Sequence, residues 1–360
     1  MGIARKLLRW YDGAKRDLPW RRAPSPYKTL VSELMLQQTT VAAVIPYFER
    51  FLARFPTLAS LADGRDEEVM ALWSGLGYYA RARNLRRAAV AVVAEHGGAL
   101  PADEDALRAL PGLGPYTAAA VASIAFGART FALDGNGSRV MARLFGVGDS
   151  IDRPATKTRL RALGAAEVPA ARAGDFNQAI MELGATVCTP RNPRCDDCPL
   201  AADCRAHAAG TADQLPRRSQ KPVRPVVQTV CAFVTDGARV LMVKRDRGLL
   251  AGTWSLPERA ADGVAADRVA AELAASAGVK GTTPQRRGAV RHVFTHRDVT
   301  AEVFRIEVAR AGRGDAARRW IAPDELGALG VSTFARKTVA VGLGPAPAPG
   351  AKRDNARLRS

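Results

Sequence analysis

Leu110-Pro111-Gly112-Leu113-Gly114 lies between two helical runs, Glu104–Ala109 and residues 116–126, and decides the fold class of the first half of the chain. Two glycines in such a turn let backbone N–H groups point outward at the start of the second helix, where they can hold a phosphate group. Similar turns occur in many helical proteins that bind no nucleic acid. The turn therefore predicts two helices joined by a hairpin and leaves DNA contact open.

The sequence on both sides of this hairpin is helical in pattern. Between residues 1 and 205, apolar side chains recur three and four positions apart in Ala- and Leu-rich runs, such as residues 27–52 and 82–96. This pattern predicts an all-α domain over residues 1–205. Residues 206–225 lose the periodicity and collect prolines and basic residues, which is typical of a linker. Its basic residues include Arg217, Arg218, Lys221 and Arg224.

Short runs rich in β-branched residues follow the linker. Residues 226–235 and 239–244 are separated by Asp236-Gly237, a dipeptide that favours a β-hairpin. We therefore predict a small α+β domain over residues 226–342. Residues 343–360 are rich in Pro, Gly and Arg, and we expect a disordered basic tail there. The other predicted elements are strands at residues 287–294 and 299–308 and a helix at residues 265–277.

The charge of the chain favours an acidic partner. The 360 residues include 53 Lys and Arg against 35 Asp and Glu, which gives a net charge of +18 at pH 7. A strong positive field points to nucleic acid, whereas a genomic bias toward Arg would give the same count without function. No run of about 18 apolar residues is present, so we expect no membrane span. We expect a cytoplasmic protein associated with the nucleoid.

Four of the five cysteines lie within one short segment. Four thiolates can hold either an iron–sulfur cluster or a structural zinc ion. Zinc sites commonly use two Cys-x-x-Cys pairs, and this segment has one, so the spacing favours the cluster. Arg191 and Arg194 lie inside the segment, where they can contact phosphates. The four candidate ligands are Cys188, Cys195, Cys198 and Cys204.

Two carboxylates are candidates for acid and electrostatic catalysis. Cleavage of an N-glycosidic bond needs an acid that protonates the leaving base and a carboxylate that stabilises the cationic sugar. Glu33 lies in a mostly apolar helix, where burial would raise its pKa, although a paired or surface glutamate is the alternative. Asp134 follows an apolar run and precedes a helix, a position that also suits an ordinary N-cap. Whether the two carboxylates face each other stays open at this point.

In this order, the motifs resemble the MutY-type adenine DNA glycosylases of the helix-hairpin-helix superfamily. The resemblance extends over most of residues 1–205 and includes the hairpin, both carboxylates and the four cysteines. It implies a multi-domain protein, in which an all-α helix-hairpin-helix glycosylase domain with an iron–sulfur cluster loop precedes a small α+β Nudix-like domain. The matching stretches are Leu18-Pro19-Trp20-Arg21, residues 32–39, Gly75-Leu76-Gly77-Tyr78-Tyr79, residues 110–117 and residues 133–139.

The resemblance also implies roles for individual residues. Glu33 would be the general acid acting at adenine N7. Asp134 would stabilise or capture the sugar cation, with Asn136 and Tyr116 assisting. Gln38 and Tyr78 would fill the stack that the extruded base leaves, which offsets part of the cost of base flipping. The residues implied to contact DNA are Gln37, Gln38, Tyr78, Gly112, Gly114 and Arg139.

The same resemblance implies a cofactor and a substrate. We expect one [4Fe–4S] cluster on the four cysteines, and duplex DNA with adenine opposite 8-oxoguanine or guanine as the substrate. The implied reaction is hydrolytic removal of adenine in base excision repair. We expect a monomer, and contacts with a sliding clamp or another repair enzyme leave no readable signal in the sequence.

Two other interpretations share these fold features. The endonuclease III branch has the same helices and cluster but uses a lysine amine to nick the strand. Here Tyr116 and Ser138 occupy the positions where that lysine occurs. A catalytically silent iron–sulfur DNA-binding sensor would need the hairpin and the cluster but neither Glu33 nor Asp134. We therefore expect a monofunctional glycosylase with little or no lyase activity.

Residues 226–342 resemble the Nudix-like domain at the C-terminus of these glycosylases. A catalytic Nudix hydrolase needs several glutamates on one helix to hold metal, and here only Glu272 remains, so we expect a recognition module. Phe294-Thr295-His296 matches the family's loop that recognises oxidised guanine. The resemblance implies that Phe294 intercalates, while Thr295 and His296 offer hydrogen bonds. Thr295 stands where serine is more familiar and retains the hydroxyl.

Overall fold

The computed structural model describes residues 2–220 and 222–344, which form two compact units. The first unit contains residues 2–64 and 84–220, and the second contains residues 65–83 and 222–344. From residue 345 onward, the predicted disordered tail lies outside the described residues. Within the described part of the chain, no helix is long and apolar enough to cross a membrane.

The first part of the chain is helical, as its apolar periodicity predicts. Short 3-10 turns at Cys195–Asp197, Ala201–Asp203 and Ala212–Gln214 follow the long helices. The helices are α1 (Ile3–Ala14), α2 (Pro19–Arg22), α3 (Pro26–Leu36), α4 (Val41–Arg54), α5 (Leu58–Asp63), α6 (Asp66–Leu72), α7 (Ala80–Glu95), α8 (Glu104–Ala109), α9 (Pro115–Phe126), α10 (Gly135–Leu144), α11 (Pro154–Glu167), α12 (Ala173–Thr186) and α13 (Arg205–Ala208).

Small side chains allow the helices of the first unit to approach closely. Helix α9 consists largely of Ala and Ser, and its residues 117–123 are all buried. It packs against α3 on one side and α12 on the other. At the contact between α10 and α12, a Cβ on Gly184 would lie 2.6 Å from the Cβ of Asn136, so only glycine fits there. This close packing brings the start of α9 next to α3.

One predicted helix is interrupted in the structure. Residues 27–52 read as a continuous helical run, but α3 ends at Leu36 and α4 begins at Val41. Gln38 has φ of +57°, a left-handed conformation that a helix cannot contain. The Gln37 side chain turns back and donates a hydrogen bond to Thr117 Oγ1 at 3.0 Å. The break therefore places Gln37 and Gln38 in a turn beside α9.

The described residues of the second unit contain a seven-stranded mixed sheet. Its strand order is β3-β2-β1-β6-β5, with β4 paired to β1 and β7 paired to β2. Strands β1 and β6 are parallel, and β1 and β2 form the predicted hairpin. The elements are β1 (Val226–Thr235), β2 (Val240–Lys244), β3 (Trp254–Ser255), β4 (Glu258–Ala260), α14 (Ala266–Ser276), β5 (Gln285–Val293), β6 (Asp298–Glu307), β7 (Arg318–Ile321), a 3-10 turn (Pro323–Ala328) and α15 (Thr333–Leu343).

The two faces of this sheet are covered by two helices. Side chains alternate along a strand, so successive residues of β1 enter different cores. Cys231 and Phe233 pack in the core that includes α15, whereas Val230 and Ala232 pack in the core that includes α14. This α+β arrangement confirms the fold class predicted for the second half of the chain.

Residues 65–83 pack with the second unit, although they are separated in sequence from the rest of that unit by the helices of the first unit. Ser74 Oγ donates a hydrogen bond of 2.7 Å to the carbonyl oxygen of Val331. Arg319 donates to the Glu67 carboxylate at 2.8 Å. The loop that carries Tyr78 therefore belongs to the same compact unit as the predicted lesion-recognition loop.

Candidate active site

Glu33 is buried on α3 and bound to the first turn of α9. Only 6% of its surface is exposed. Tyr116, which follows the hairpin, donates its hydroxyl hydrogen to Glu33 Oε2. Burial raises the pKa of Glu33 to about 7. The hydrogen bond from Tyr116 lowers this pKa, and the negative charge of Asp134 raises it further. At neutral pH the carboxyl group is therefore partly protonated, as a general acid must be.

Asp134 occupies the N-cap of α10. Its side chain accepts a hydrogen bond from the backbone N–H of Gly137, and Ser138 Oγ donates to the Asp134 carbonyl oxygen at 2.7 Å. Burial raises the pKa of Asp134 above its usual value, and hydrogen bonds from the backbone N–H groups of Gly137 and Asn136 offset only part of this increase. Asp134 is therefore the N-cap of α10, and the N-terminus of this helix fixes the position of the Asp134 carboxylate.

One cavity of about 1120 Å³ brings the two carboxylates together. The sequence left open whether they face each other. In the structure both line this cavity, and the charge of Asp134 contributes to the raised pKa of Glu33, so the two groups lie near each other. The cavity is large enough for an extruded base with part of its strand. Eight of the predicted site residues line it: Glu33, Gln37, Gln38, Gly112, Gly114, Tyr116, Asp134 and Asn136.

Glu182 is a further buried carboxylate in the lining of this cavity, and sequence reasoning missed it. Its side chain is almost fully buried, and it accepts hydrogen bonds from the guanidinium groups of Arg16 and Arg21. Burial would raise the pKa of Glu182, but the Arg16 hydrogen bond and the charges of both arginines lower it overall. A signal existed, because Glu182 is an isolated acid in an apolar stretch of α12, as Glu33 is in α3.

The four clustered cysteines line a second, smaller cavity behind α10. Arg143 is 2% exposed at this cavity and donates a hydrogen bond of 3.3 Å to Cys188 Sγ. Within the described residues, no three Cys, His, Asp or Glu side chains converge closely enough to hold a single metal ion. Four thiols around a shared cavity, with a buried cationic donor, fit a multi-iron cluster. Its ligands would be Cys188, Cys195, Cys198 and Cys204.

The predicted recognition loop lies at the end of β5 in the second unit. Thr295 and His296 are exposed, and Thr295 Oγ1 shares a hydrogen bond of 3.1 Å with the Tyr78 hydroxyl group. Phe294 is half-buried and packs against the rings of His292 and Phe334, at centroid distances of 4.5 and 5.7 Å. Thr295 and His296 therefore point outward, and Phe294 packs beside them against β5 and α15; its intercalation stays a prediction.

Comparisons with known proteins agree with this arrangement. Residues 31–165 match the HhH-GPD superfamily of base excision DNA repair proteins, residues 188–204 the iron–sulfur binding domain of endonuclease III, and residues 229–341 the NUDIX domain. The human adenine DNA glycosylase is 37% identical over 96% of this chain and 75% of its own length. The chain belongs to the adenine DNA glycosylase family.

Two further proteins support this assignment. The adenine DNA glycosylase of Mycolicibacterium smegmatis is 44% identical over 60% of this chain and 73% of its own length. The solved structure of a thermostable thymine-DNA glycosylase is 28% identical, has a TM-score of 0.52, and covers 57% of this chain and 95% of its own. These matches confirm the predicted family and fold class. The protein is therefore a glycosylase of base excision repair that carries an iron–sulfur binding domain.

Arg139 of this glycosylase points into the protein interior. It is 7% exposed and donates hydrogen bonds to Asn136 Oδ1 at 2.7 Å and to the carbonyl oxygens of Cys188 and Gly184, each at 2.8 Å. These partners use the Nε and Nη2 groups of Arg139, and the contact of Arg139 with DNA stays a prediction. Arg139 joins Asn136 to the start of the cluster loop.

Glu272, the one glutamate of α14, is bound by two arginines. Arg259 donates a hydrogen bond to its carboxylate at 2.7 Å, and Arg268 does so at 3.1 Å. These hydrogen bonds lower the pKa of Glu272. A carboxylate that two guanidinium groups already neutralise is a poor metal ligand, which agrees with a recognition module in this glycosylase.

Gly112→Ala is expected to lower the free energy of unfolding by about 2 kcal/mol. Gly112 has φ of +77°, and an added Cβ would overlap the Asn84 side chain. Gly114→Ala is the matched control, because Gly114 has φ of −79° and an added Cβ meets open space. Urea unfolding of both variants measures the difference. Equal losses would contradict the special role given to Gly112.

Proposed function

We propose that this enzyme hydrolyses the N-glycosidic bond of adenine paired with 8-oxoguanine or guanine in duplex DNA. The observation that carries the proposal is one cavity containing a partly protonated Glu33 and the capped carboxylate of Asp134. Glu33 donates its proton to N7 of the extruded adenine, so that the bond electrons leave with a neutral base. Tyr116 keeps the acid oriented through its hydrogen bond to Glu33.

Asp134 acts on the sugar. As the bond between C1′ and N9 breaks, positive charge develops on the deoxyribose, and a fixed carboxylate stabilises that charge. The backbone N–H of Gly137 holds the Asp134 carboxylate in place, so little reorganisation is needed. Asn136 lines the same cavity and assists there. Water then adds to C1′ and gives its proton to the Glu33 carboxylate, which leaves an abasic site and restores the acid.

Glu182 orients two basic side chains at the cavity. Its carboxylate is almost fully buried and accepts hydrogen bonds from Arg16 and Arg21, which also line the cavity. Both carboxylate oxygens are used in these bonds. Glu182 therefore fixes the positions of the two guanidinium groups in the cavity that contains Glu33.

The absence of strand cleavage follows from the side chains at two positions. A lyase uses a lysine amine to attack C1′ and form a Schiff base. At the positions where that lysine occurs in the endonuclease III branch, Tyr116 donates its hydroxyl hydrogen to Glu33, and Ser138 donates to the Asp134 carbonyl oxygen. Neither group can form a Schiff base, so the proposed product is an intact strand with an abasic site.

The four cysteines would hold one [4Fe–4S] cluster. When bound, this group holds the residues between its ligands in a fixed conformation. Arg143 donates to Cys188 Sγ and to the carbonyl oxygen of Thr189 at 2.7 Å, and so links α10 to the start of the cysteine segment. Arg191 and Arg194 then lie on an ordered loop, where their charges suit DNA phosphates.

The opposite base is read by the exposed loop of the second unit. Thr295 and His296 offer polar groups to the edge of 8-oxoguanine, and Tyr78 stands beside Thr295 through their shared hydrogen bond. Tyr78 is 40% exposed, with the Arg81 guanidinium over its ring, and it fills the gap left by the extruded adenine.

Thr295→Val keeps the shape of the side chain and removes its hydroxyl group. We expect it to reduce the preference for adenine opposite 8-oxoguanine over adenine opposite guanine by about tenfold, because the polar group of 8-oxoguanine that Thr295 binds is then left unpaired. Single-turnover excision rates on the two duplexes give this ratio. Thr295→Ser keeps the hydroxyl group and is the matched control, with a ratio expected within about twofold of the original. An unchanged ratio in Thr295→Val would exclude Thr295 from reading the opposite base.

A further inference from the structure

Residues 217–219, which we call the strap, are bound to the first unit although the sequence places them in a linker. The backbone N–H of Ile151 donates to the carbonyl oxygen of Arg217 at 3.0 Å. The backbone N–H of Ser219 donates to Asp152 Oδ2 at 2.9 Å, and the hydroxyl groups of Ser219 and Ser150 are 2.9 Å apart. The strap is therefore fixed to the segment between α10 and α11.

The strap brings the Arg218 side chain to the cavity that contains Glu33 and Asp134. Lys157 and Arg161 of α11 line the same cavity, and they lie four residues apart, on one face of the helix. The strap and α11 together contribute three basic side chains to the lining of this cavity, which we call the basic wall. Arg217 is also exposed, but it does not line the cavity.

Most of the positive charge on this wall is not neutralised. Arg218 lies 3.4 Å from Asp152, a weak ion pair between exposed groups. Among the described residues, neither Lys157 nor Arg161 forms an ion pair, whereas Arg159 on the same helix pairs with Asp149. Three cations against one carboxylate, on the rim of a cavity for an extruded nucleotide, suit a row of phosphates.

We propose that Arg218, Lys157 and Arg161 bind the backbone phosphates of the strand that carries the extruded adenine, and that the strap makes Arg218 part of this surface. The linker thus contributes to DNA binding, besides joining two domains. This inference rests on the proposed function, because the cavity must receive a nucleotide. It adds that one phosphate contact depends on hydrogen bonds between the strap and residues 150–152.

Arg218→Ala and Arg217→Ala test the surface as a matched pair in the full-length, cluster-loaded protein. The probe is a duplex with a non-hydrolysable adenine nucleotide opposite 8-oxoguanine, and its Kd is measured over a series of salt concentrations. We expect Arg218→Ala to weaken binding about fivefold and to reduce the slope of log K against log salt by about one. Arg217→Ala should change Kd by less than about twofold. Equal losses in both variants would mean that only net charge matters and would overturn the proposal.

Ser219→Pro tests the strap, because it removes the N–H that donates to Asp152 and keeps Arg218. We expect Ser219→Pro to weaken DNA binding about fivefold, as Arg218→Ala does. Gln220→Pro, one residue later, is the control and should bind DNA normally. If Ser219→Pro binds as the original protein does, the strap has no role.

The excision assay separates this result from the proposed function. Failure to release adenine opposite 8-oxoguanine, with the binding losses intact, would refute the function and leave the phosphate surface standing.

Discussion

Asp134→Asn is expected to bind duplex DNA normally and to release adenine about a thousandfold more slowly. Asparagine has the shape of aspartate, and its side-chain oxygen can still accept the hydrogen bond from Gly137 that caps α10. The substitution therefore keeps the helix start and removes the negative charge that stabilises the sugar cation. Single-turnover excision and equilibrium binding to the same duplex measure the two effects.

Asp103→Asn is the control for this substitution. Asp103 caps α8 and accepts a hydrogen bond from the backbone N–H of Ala106 at 2.9 Å, outside the cavity. The same chemical change there tests the cost of altering a cap alone, and we expect a normal excision rate. Near-normal turnover in Asp134→Asn would remove Asp134 from the mechanism.

Glu33→Gln is expected to reduce the excision rate about a thousandfold, within the range usual for general acids. Because the acid form of Glu33 is needed and its pKa is about 7, the rate of the original enzyme should fall as pH rises through 7. Glutamine donates no proton, so the residual rate of the variant should show no such fall. A pH profile that is the same in both proteins would assign the essential acid to another group.

The same substitution should stabilise the protein at high pH. The pKa of Glu33 is raised from 4.5 to about 7 on folding, so stability is lost as pH rises between these values. The loss at pH 8 is on the order of 3 kcal/mol, since each pKa unit corresponds to about 1.4 kcal/mol. Glu33→Gln does not titrate and should therefore gain stability relative to the original protein from pH 5 to pH 8. A constant difference across this range would contradict the burial of an ionisable Glu33.

Patterns local in sequence predicted much of this fold. The spacing of apolar residues indicated the helices, and Asp236-Gly237 marked the hairpin between β1 and β2. Glu33 could be chosen because an acid in an apolar helix must be buried or paired. The four cysteines could be chosen because their spacing is local, and the structure places them around one cavity.

Features that depend on distant contacts could not be predicted in this way. Nothing within residues 65–83 indicates that Ser74 bonds to Val331, more than 250 residues later. The inward direction of Arg139 depends on carbonyl groups of α12 and the cluster loop. The break at Gln38 has no glycine or proline to mark it. Phe294 lies in a motif that suggests intercalation, but its ring packs against α15 through Phe334.

The most direct test is a single-turnover reaction on a duplex with adenine opposite 8-oxoguanine. Strand breaks are measured with and without alkali treatment. A duplex with an oxidised pyrimidine is treated in the same way for comparison. We expect adenine release that yields strand breaks only after alkali, and no cleavage at the oxidised pyrimidine. Strand breaks without alkali, or cleavage at the oxidised pyrimidine, would contradict it.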